Sequence, residues 1–302
     1  MRMTALPEAL PRAQPVRPEL ARGVHRLAWG DVSFEVDAAT GGRVTALRLG
    51  GHNLLTGPEV DAGNYGSTFW TSPQTGWGWP PVPEIDHGRY DAQIEGDAIV
   101  MRSAVSAALG VDVEKRFSAD RARGAILLDF RVRNRSSAAV ALAPWQVTRV
   151  APGGVTFFPT GAGTFPPSNL AVREAHGITW YVYDAAAVTD HQKLFADGRE
   201  GWIAHVDGSL PDALLVKRFD PVPRARQAPA EAQIEIYANP GHTYVEVEVQ
   251  GGHEILPSGG VLPWRVVWLV RRLPPALVPA TVGEPLVAHV RALVTADARN
   301  AG

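Results

Sequence analysis

Short runs in which apolar and polar residues alternate recur along the chain, broken by clusters of Gly, Asp, Asn, Ser and Arg. A period of two sends successive side chains to opposite faces of an extended backbone, so it predicts strands. RLAW (26–29), VSFEV (32–36) and RVTALRL (43–49) open a meander, the last two joined by DAATGG (37–42), whose glycines tolerate positive φ. Strands are further predicted at AQIE (92–95), AIVMRSAVSA (98–107), VDVEKRF (111–117), AILLDFRVRN (125–134) and VALAPWQVTRV (140–150). ITWYVY (178–183), GWIAHV (201–206), ALLVKRF (213–219), QIEIYA (233–238), TYVEVEVQ (243–250) and LPWRVVWLVRR (262–272) continue the series. Helical spacing is confined to 184–197 and 284–294, the second with an apolar face.

This pattern makes the chain all-β. With 30 Gly and 25 Pro scattered among short strands, and no composition break from about residue 23 to the end, one domain over 23–302 is expected. Residues 1–22, rich in proline, read as an extended arm ordered by packing on the sheet.

Composition narrows the chemistry. A net charge of −2 lacks the basic stripe that a phosphate backbone requires, so nucleic acid is not an expected partner. With no cysteine there is neither a disulfide nor a thiolate metal site, and the nine histidines show no i, i+4 pair or metal-type cluster. No metal and no cofactor are expected. The arm lacks a signal-type apolar core and no run suits a membrane helix, so a soluble, cytoplasmic protein is expected, with no membrane partner. No GxSxG elbow, P-loop or dinucleotide fingerprint is present.

Two segments carry candidate chemistry. Alternation in 243–250 puts Tyr244, Glu246, Glu248 and Gln250 on one face and Val245, Val247 and Val249 on the other. Like charges two residues apart on a strand raise a carboxyl pKa toward the range useful for proton transfer, and the simpler alternative on this strand alone is a solvated polar face with ordinary carboxylates. The segment 64–90 gathers Tyr65, Phe69, Trp70, Trp77 and Trp79 among glycines and prolines and reads as an aromatic loop rather than a strand. Indole faces suit the C–H faces of sugar rings, while Asn64, Gln74, Glu84, Asp86, His87 and Arg89 offer polar partners; a hydrophobic cap over the end of a sandwich is the alternative. Trp145 and Gln146 alternate, so one enters the core and the other faces the candidate site. Lys217 is a candidate cation or acid, with a snorkelling surface lysine as the alternative, and His176, His205 and His253 are further candidate acids, each of which a surface or loop position would also explain.

GGRVTALRLGGHNLLT (41–56), LLDFRVRNRSSAAVALAPWQVTRV (127–150) and VEVEVQGGHEILPSGGVLPWRVVWLV (245–270) together resemble the galactose-mutarotase-like superfamily, which includes aldose 1-epimerases. FWTSPQ (69–74) and YVEVEVQG (244–251) resemble an uncharacterised branch, the DUF4380 type. The resemblance implies a supersandwich of large antiparallel sheets with a sugar site on a concave face. It also implies Glu248, in a Glu-x-Gln strand with Gln250, as the catalytic base. Where those epimerases carry the histidine acid, this chain has Trp145 and Gln146, which leaves Lys217 or His176 to supply the proton.

The expected ligand is therefore a sugar or glycan, held by Trp70, Gln74, Trp77, Trp79, Trp145, Gln146, Glu246 and Gln250. The expected activity is that of an aldose epimerase or isomerase using a glutamate base. A non-catalytic carbohydrate-binding module is the alternative, and a structural sandwich with its tryptophans buried is a third.

Overall fold

The computed structural model describes residues 13–300. Every strand pairing in it is antiparallel, and the strands form two large sheets. One sheet runs Asp91–Glu95, Ala98–Arg102, Val111–Asp120, Ala125–Asn134, Val261–Arg272, Ala213–Arg218, Trp202–Val206, Val155–Thr164, Ile178–Val182 and Arg173–Ala175. The other runs Glu19–Ala21, Val24–Trp29, Val32–Asp37, Arg43–Leu49, Ser67–Ser72, Val140–Val150, Val245–Gln250, Ile234–Ala238 and Gln192–Gly198. The 155–164 strand belongs to both, pairing with 202–206 and 178–182 through its first half and with 192–198 through its second.

The core lies between the sheets. Phe34, Phe69, Phe117, Phe130 and Trp268 interlock there at centroid distances of 4.7 to 6.4 Å, and Val245, Val247 and Val249 face it from the second sheet. The outer side of the first sheet is covered by the helix Glu284–Arg299, whose Leu286, Val287 and Val290 pack on Phe157, Trp180, Trp202 and Leu269. This is the helix predicted at 284–294. Asp297 fastens it, its carboxylate accepting from Arg123 (2.6 and 3.0 Å) and Arg218 (2.7 Å).

The other predicted helix is absent. Residues 184–197 hold a single 3-10 turn at Ala185–Ala187 and then the strand Gln192–Gly198, in which Leu194 and Ala196 enter the core. Local helix formers are overridden there by pairing with Ile234–Ala238. The segment 64–90 is likewise not all loop, because Ser67–Ser72 is an inner strand between the 43–49 and 140–150 strands. Both its faces are buried, so no alternation betrayed it. Of the arm expected over 1–22, residues 1–12 lie outside the described residues; Pro15 bridges Asp120, Val16 enters the core and Glu19–Ala21 adds an edge strand.

Candidate functional site

The face of the second sheet turned away from the core carries a cleft of about 450 Å³. Strand register builds its floor. Trp70 pairs with Trp145 and Trp145 with Gln250, Val147 with Glu248 and Glu248 with Glu235, and Arg149 with Glu246, Glu246 with Tyr237 and Tyr237 with Lys193. Directly paired residues share a face, so these rows place aromatic, acidic and basic side chains side by side. Asp61, Asn64, Gln74, Trp79, His191 and Asn239 complete the walls from flanking loops.

The aromatic wall is rigidly held. Trp70 meets Trp145, Trp77 and Trp79 edge-on, with centroids 5.3, 5.7 and 6.2 Å away. Its indole N–H donates to Asp86 at 2.7 Å, and Asp86 in turn meets the buried Arg43 at 3.3 Å. Asp86 is itself positioned by a close backbone approach: at Gly41, with φ +68°, a Cβ would sit 1.8 Å from the Asp86 carbonyl oxygen. Trp77 donates to the Thr71 carbonyl at 2.7 Å and backs the cluster. Trp79 is 62% exposed and stands over the cleft as a free face.

The polar floor contains three carboxylates and two cations. Glu248 is fully buried; one carboxylate oxygen accepts from the Trp145 indole at 2.9 Å, and Lys193 Nζ lies 3.1 and 3.2 Å from the two oxygens. Lys193 Nζ also sits 2.7 Å from Glu235, which accepts from the Ala232 amide (2.8 Å) and Gln250 (2.9 Å). Burial alone would strip the Lys193 proton, but Glu235, Glu248 and Glu246 outweigh it and hold the ammonium charged well above the usual lysine range. Glu235 is raised well above the carboxylate range by burial, with Glu248 adding to the shift and Lys193 opposing it.

Glu246 differs from its neighbours because it reaches the cleft. Arg149, fully buried, places Nε 2.8 Å from one Glu246 oxygen and is steadied by Thr68 and Asn64. Burial pushes the Glu246 carboxyl up to about 7, the Arg149 guanidinium opposing and the Glu248 charge adding. Opposite it, His191 Nδ1 and the Tyr237 hydroxyl are hydrogen-bonded to each other at the rim. Such a set can hold a polyhydroxylated ring against indole faces and exchange a proton with it at neutral pH.

The structure therefore gathers Trp70, Gln74, Trp79, Trp145 and Glu246 around one cavity, with Glu248 and Gln250 beneath it and Trp77 behind it. It does not bring the other named residues there. Gln146 points into the core, where its side-chain oxygen accepts from Trp268 Nε1 at 3.1 Å. Lys217 also lies on the core side of the sheet, fully buried, donating to Thr148 and to the Val247 carbonyl at 2.8 Å each. Burial lowers its pKa well below the usual value, and a sheet of backbone separates it from the cleft. His176 is exposed in the turn between Arg173–Ala175 and Ile178–Val182, beside a different cavity near the start of the C-terminal helix. Neither residue can deliver a proton to the cleft.

Several residues escaped the sequence. His191 and Lys193 were hidden in the segment with helical spacing, and Arg149 at a strand end. Glu235 and Tyr237 alternate in QIEIYA just as Glu246 and Glu248 do, and that matching polar face was the available signal. Among the described residues no helix is long and apolar enough to cross a membrane.

A sequence family described as a domain of unknown function (DUF4380) matches residues 49–271. No curated protein sequence matches the chain. Among solved structures, a galactose mutarotase-like protein from Lactobacillus casei ATCC 334 is 10% identical, with a TM-score of 0.59 over 82% of this chain and 100% of that one. A galactose mutarotase related enzyme from Lactobacillus acidophilus is 9% identical, with a TM-score of 0.56 over 83% and 98%. A TPR-domain containing protein from Parabacteroides distasonis ATCC 8503 is 14% identical, with a TM-score of 0.60 over 87% of this chain, which spans 50% of that protein. At such identities the likeness establishes the galactose mutarotase-like fold.

Proposed function

The chain belongs to the DUF4380 family, and from that premise, which assigns no chemistry, we propose that it binds a carbohydrate in the tryptophan-lined cleft and can carry aldose epimerase-type proton transfer there. The observation that carries this is one cavity bounded by the exposed Trp79 face, the Trp70–Trp145 pair and a Glu246 carboxyl poised near neutrality. Cavities of roughly 300–1,000 Å³ with apolar walls and a few convergent polar groups are typical small-ligand sites. In the catalytic form, Glu246 takes the proton of the anomeric hydroxyl while the His191–Tyr237 pair gives one to the ring oxygen, the ring C–O bond breaks, and the reverse steps close the other anomer. Glu248 becomes a support for Lys193 and Trp145 rather than the base, because both groups lie against its carboxylate and it has no exposed surface.

The sealing of Glu248 also favours a second use, sugar binding without turnover. Thermal-shift and calorimetric titration with neutral aldoses, alongside NMR exchange between anomers, separates the two. Glu246→Gln is expected to abolish exchange while keeping affinity within about tenfold, since the amide preserves shape and one acceptor. Binding with no exchange in the wild type selects the non-catalytic use. Failure of every aldose to bind removes both.

A further inference from the structure

The aromatic surface of the cleft falls into two separate groups, which bears on the length of its ligand; the inference rests on the carbohydrate proposal above. Trp145, Trp70 and Trp79 form one group, joined edge-on at 5.3 and 6.2 Å. Tyr244, Tyr237 and His191 form the other, with neighbouring ring centroids 6.3 and 5.9 Å apart. The Arg149–Glu246 pair stands between them, Arg149 Cζ lying 5.3 Å from the Trp70 centroid and 5.9 Å from that of Tyr244. The backbone sets the same separation: Trp70 and Tyr237 lie on strands three places apart, about 14 Å at a spacing of about 4.8 Å. A single pyranose, built from bonds of about 1.5 Å, measures roughly 6 Å between opposite hydroxyl oxygens. One ring seated over Glu246 against Tyr237 and His191 therefore leaves the outer tryptophan bare. That residue, Trp79, is the only exposed tryptophan among the described residues, yet the segment that carries it is anchored. The Gln74 amide donates to the buried Glu231 at 2.8 Å, the Trp77 and Gly78 amides turn back onto the Gln74 carbonyl at 3.0 and 2.8 Å, and the Trp77 indole is fixed on Thr71. An indole face held in water on an anchored turn is a preorganised platform for a second ring. The Gln74 side chain, from the same turn, offers both donors and an acceptor to the hydroxyls of that ring.

We propose that the ligand of this cleft is an oligosaccharide of two or more units, one ring seated over Glu246 and the next stacked on Trp79. Calorimetric titration at pH 7 tests this with glucose and galactose against maltose, cellobiose and lactose, three disaccharides that differ in linkage or outer ring. At least one disaccharide is expected to bind about tenfold or more tightly than either monosaccharide, the gain of burying a second ring face on an indole. Trp79→Ala is expected to bring that disaccharide and the monosaccharides within about threefold of each other, and Trp79→Phe, which keeps an aromatic face, to retain most of the gain. If none of the three disaccharides binds more tightly than glucose and galactose, or if the gain survives intact in Trp79→Ala, the second seat is overturned and the carbohydrate proposal stands. Absence of binding by every sugar overturns both.

Discussion

Trp79 and Lys193 illustrate opposite ways in which one residue can serve a site. Trp79 packs only edge-on against Trp70 and keeps 62% of its surface exposed, so its removal forfeits little folding energy. Trp79→Ala is expected to change unfolding free energy by less than about 0.5 kcal/mol while weakening sugar affinity about tenfold or more; denaturant titration and calorimetry on one preparation check both. Lys193 has the reverse balance. Its ammonium is the counter-ion of Glu235 and Glu248, both fully buried. Lys193→Met leaves the buried Glu248 and Glu235 side chains without a cation, and breaking such a pair costs about 3–5 kcal/mol. Urea unfolding of the variant at pH 7 reads it, with Lys193→Arg as the charge-keeping control; an equal deficit in both would mean that the fit of the lysine stem, not its charge, matters. At this scale the sequence exposed the acidic face of 245–250 but not which acid is reachable.

At the scale of elements, strands whose polar and apolar residues alternate could be read, and one in which they do not could not. The 125–134 and 140–150 strands emerge with their predicted bounds, whereas Ser67–Ser72 was lost because its two apolar residues, Phe69 and Trp70, are adjacent and break the two-residue alternation. The C-terminal helix was readable because water on one side and the sheet on the other produce a helical period. Its attachment was not, since Asp297, Arg123 and Arg218 come from three distant stretches. Asp297 is 3% exposed, so Asp297→Asn is expected to cost about 3 kcal/mol by leaving two part-buried guanidinium groups without a counter-charge. Limited proteolysis should then release the helix first; unchanged unfolding midpoint and cleavage pattern would show that Leu286, Val287 and Val290 hold it alone.

For the whole molecule, two of the buried groups through which pH acts have opposite signs. Burial lowers His205 to about 4, against the opposing Asp207 charge; it faces the interior and shares a 2.9 Å hydrogen bond with Thr156. The unfolded chain takes up this proton near pH 6.5 and the folded one only near 4, so unfolding gains a proton between those values and stability falls as pH drops through them. The gap corresponds to about 3 kcal/mol. Glu246 works the other way: the folded state holds a proton up to about 7 that the unfolded chain releases near 4.5, so its contribution is complete below 4.5 and is lost as pH rises toward 7. The net limb mixes these with the other buried groups, but the difference between wild type and His205→Gln isolates the histidine. Measured by denaturation from pH 4 to 7, the difference should shift by about 3 kcal/mol in favour of the variant toward acid. A pH-independent difference would mean that His205 is not held neutral.

What the sequence determined by itself is what short-range periodicity can encode: strand positions, turns at glycine and asparagine, the orientation of Val245, Val247 and Val249 to the core, and so the all-β class. Sheet register decided the rest. Only pairing among segments as distant as 67–72, 140–150, 192–198, 234–238 and 245–250 brings Trp70, Trp145, Lys193, Glu235 and Glu246 to one cavity. Glu246 and Glu248 look alike along the chain, two positions apart on the same face. They differ because Trp145 and Lys193 close over one while the other opens beside Tyr237 and Asn64. Burial and hydrogen bonding are set by neighbours across strands, and a linear pattern carries no record of which neighbours those will be.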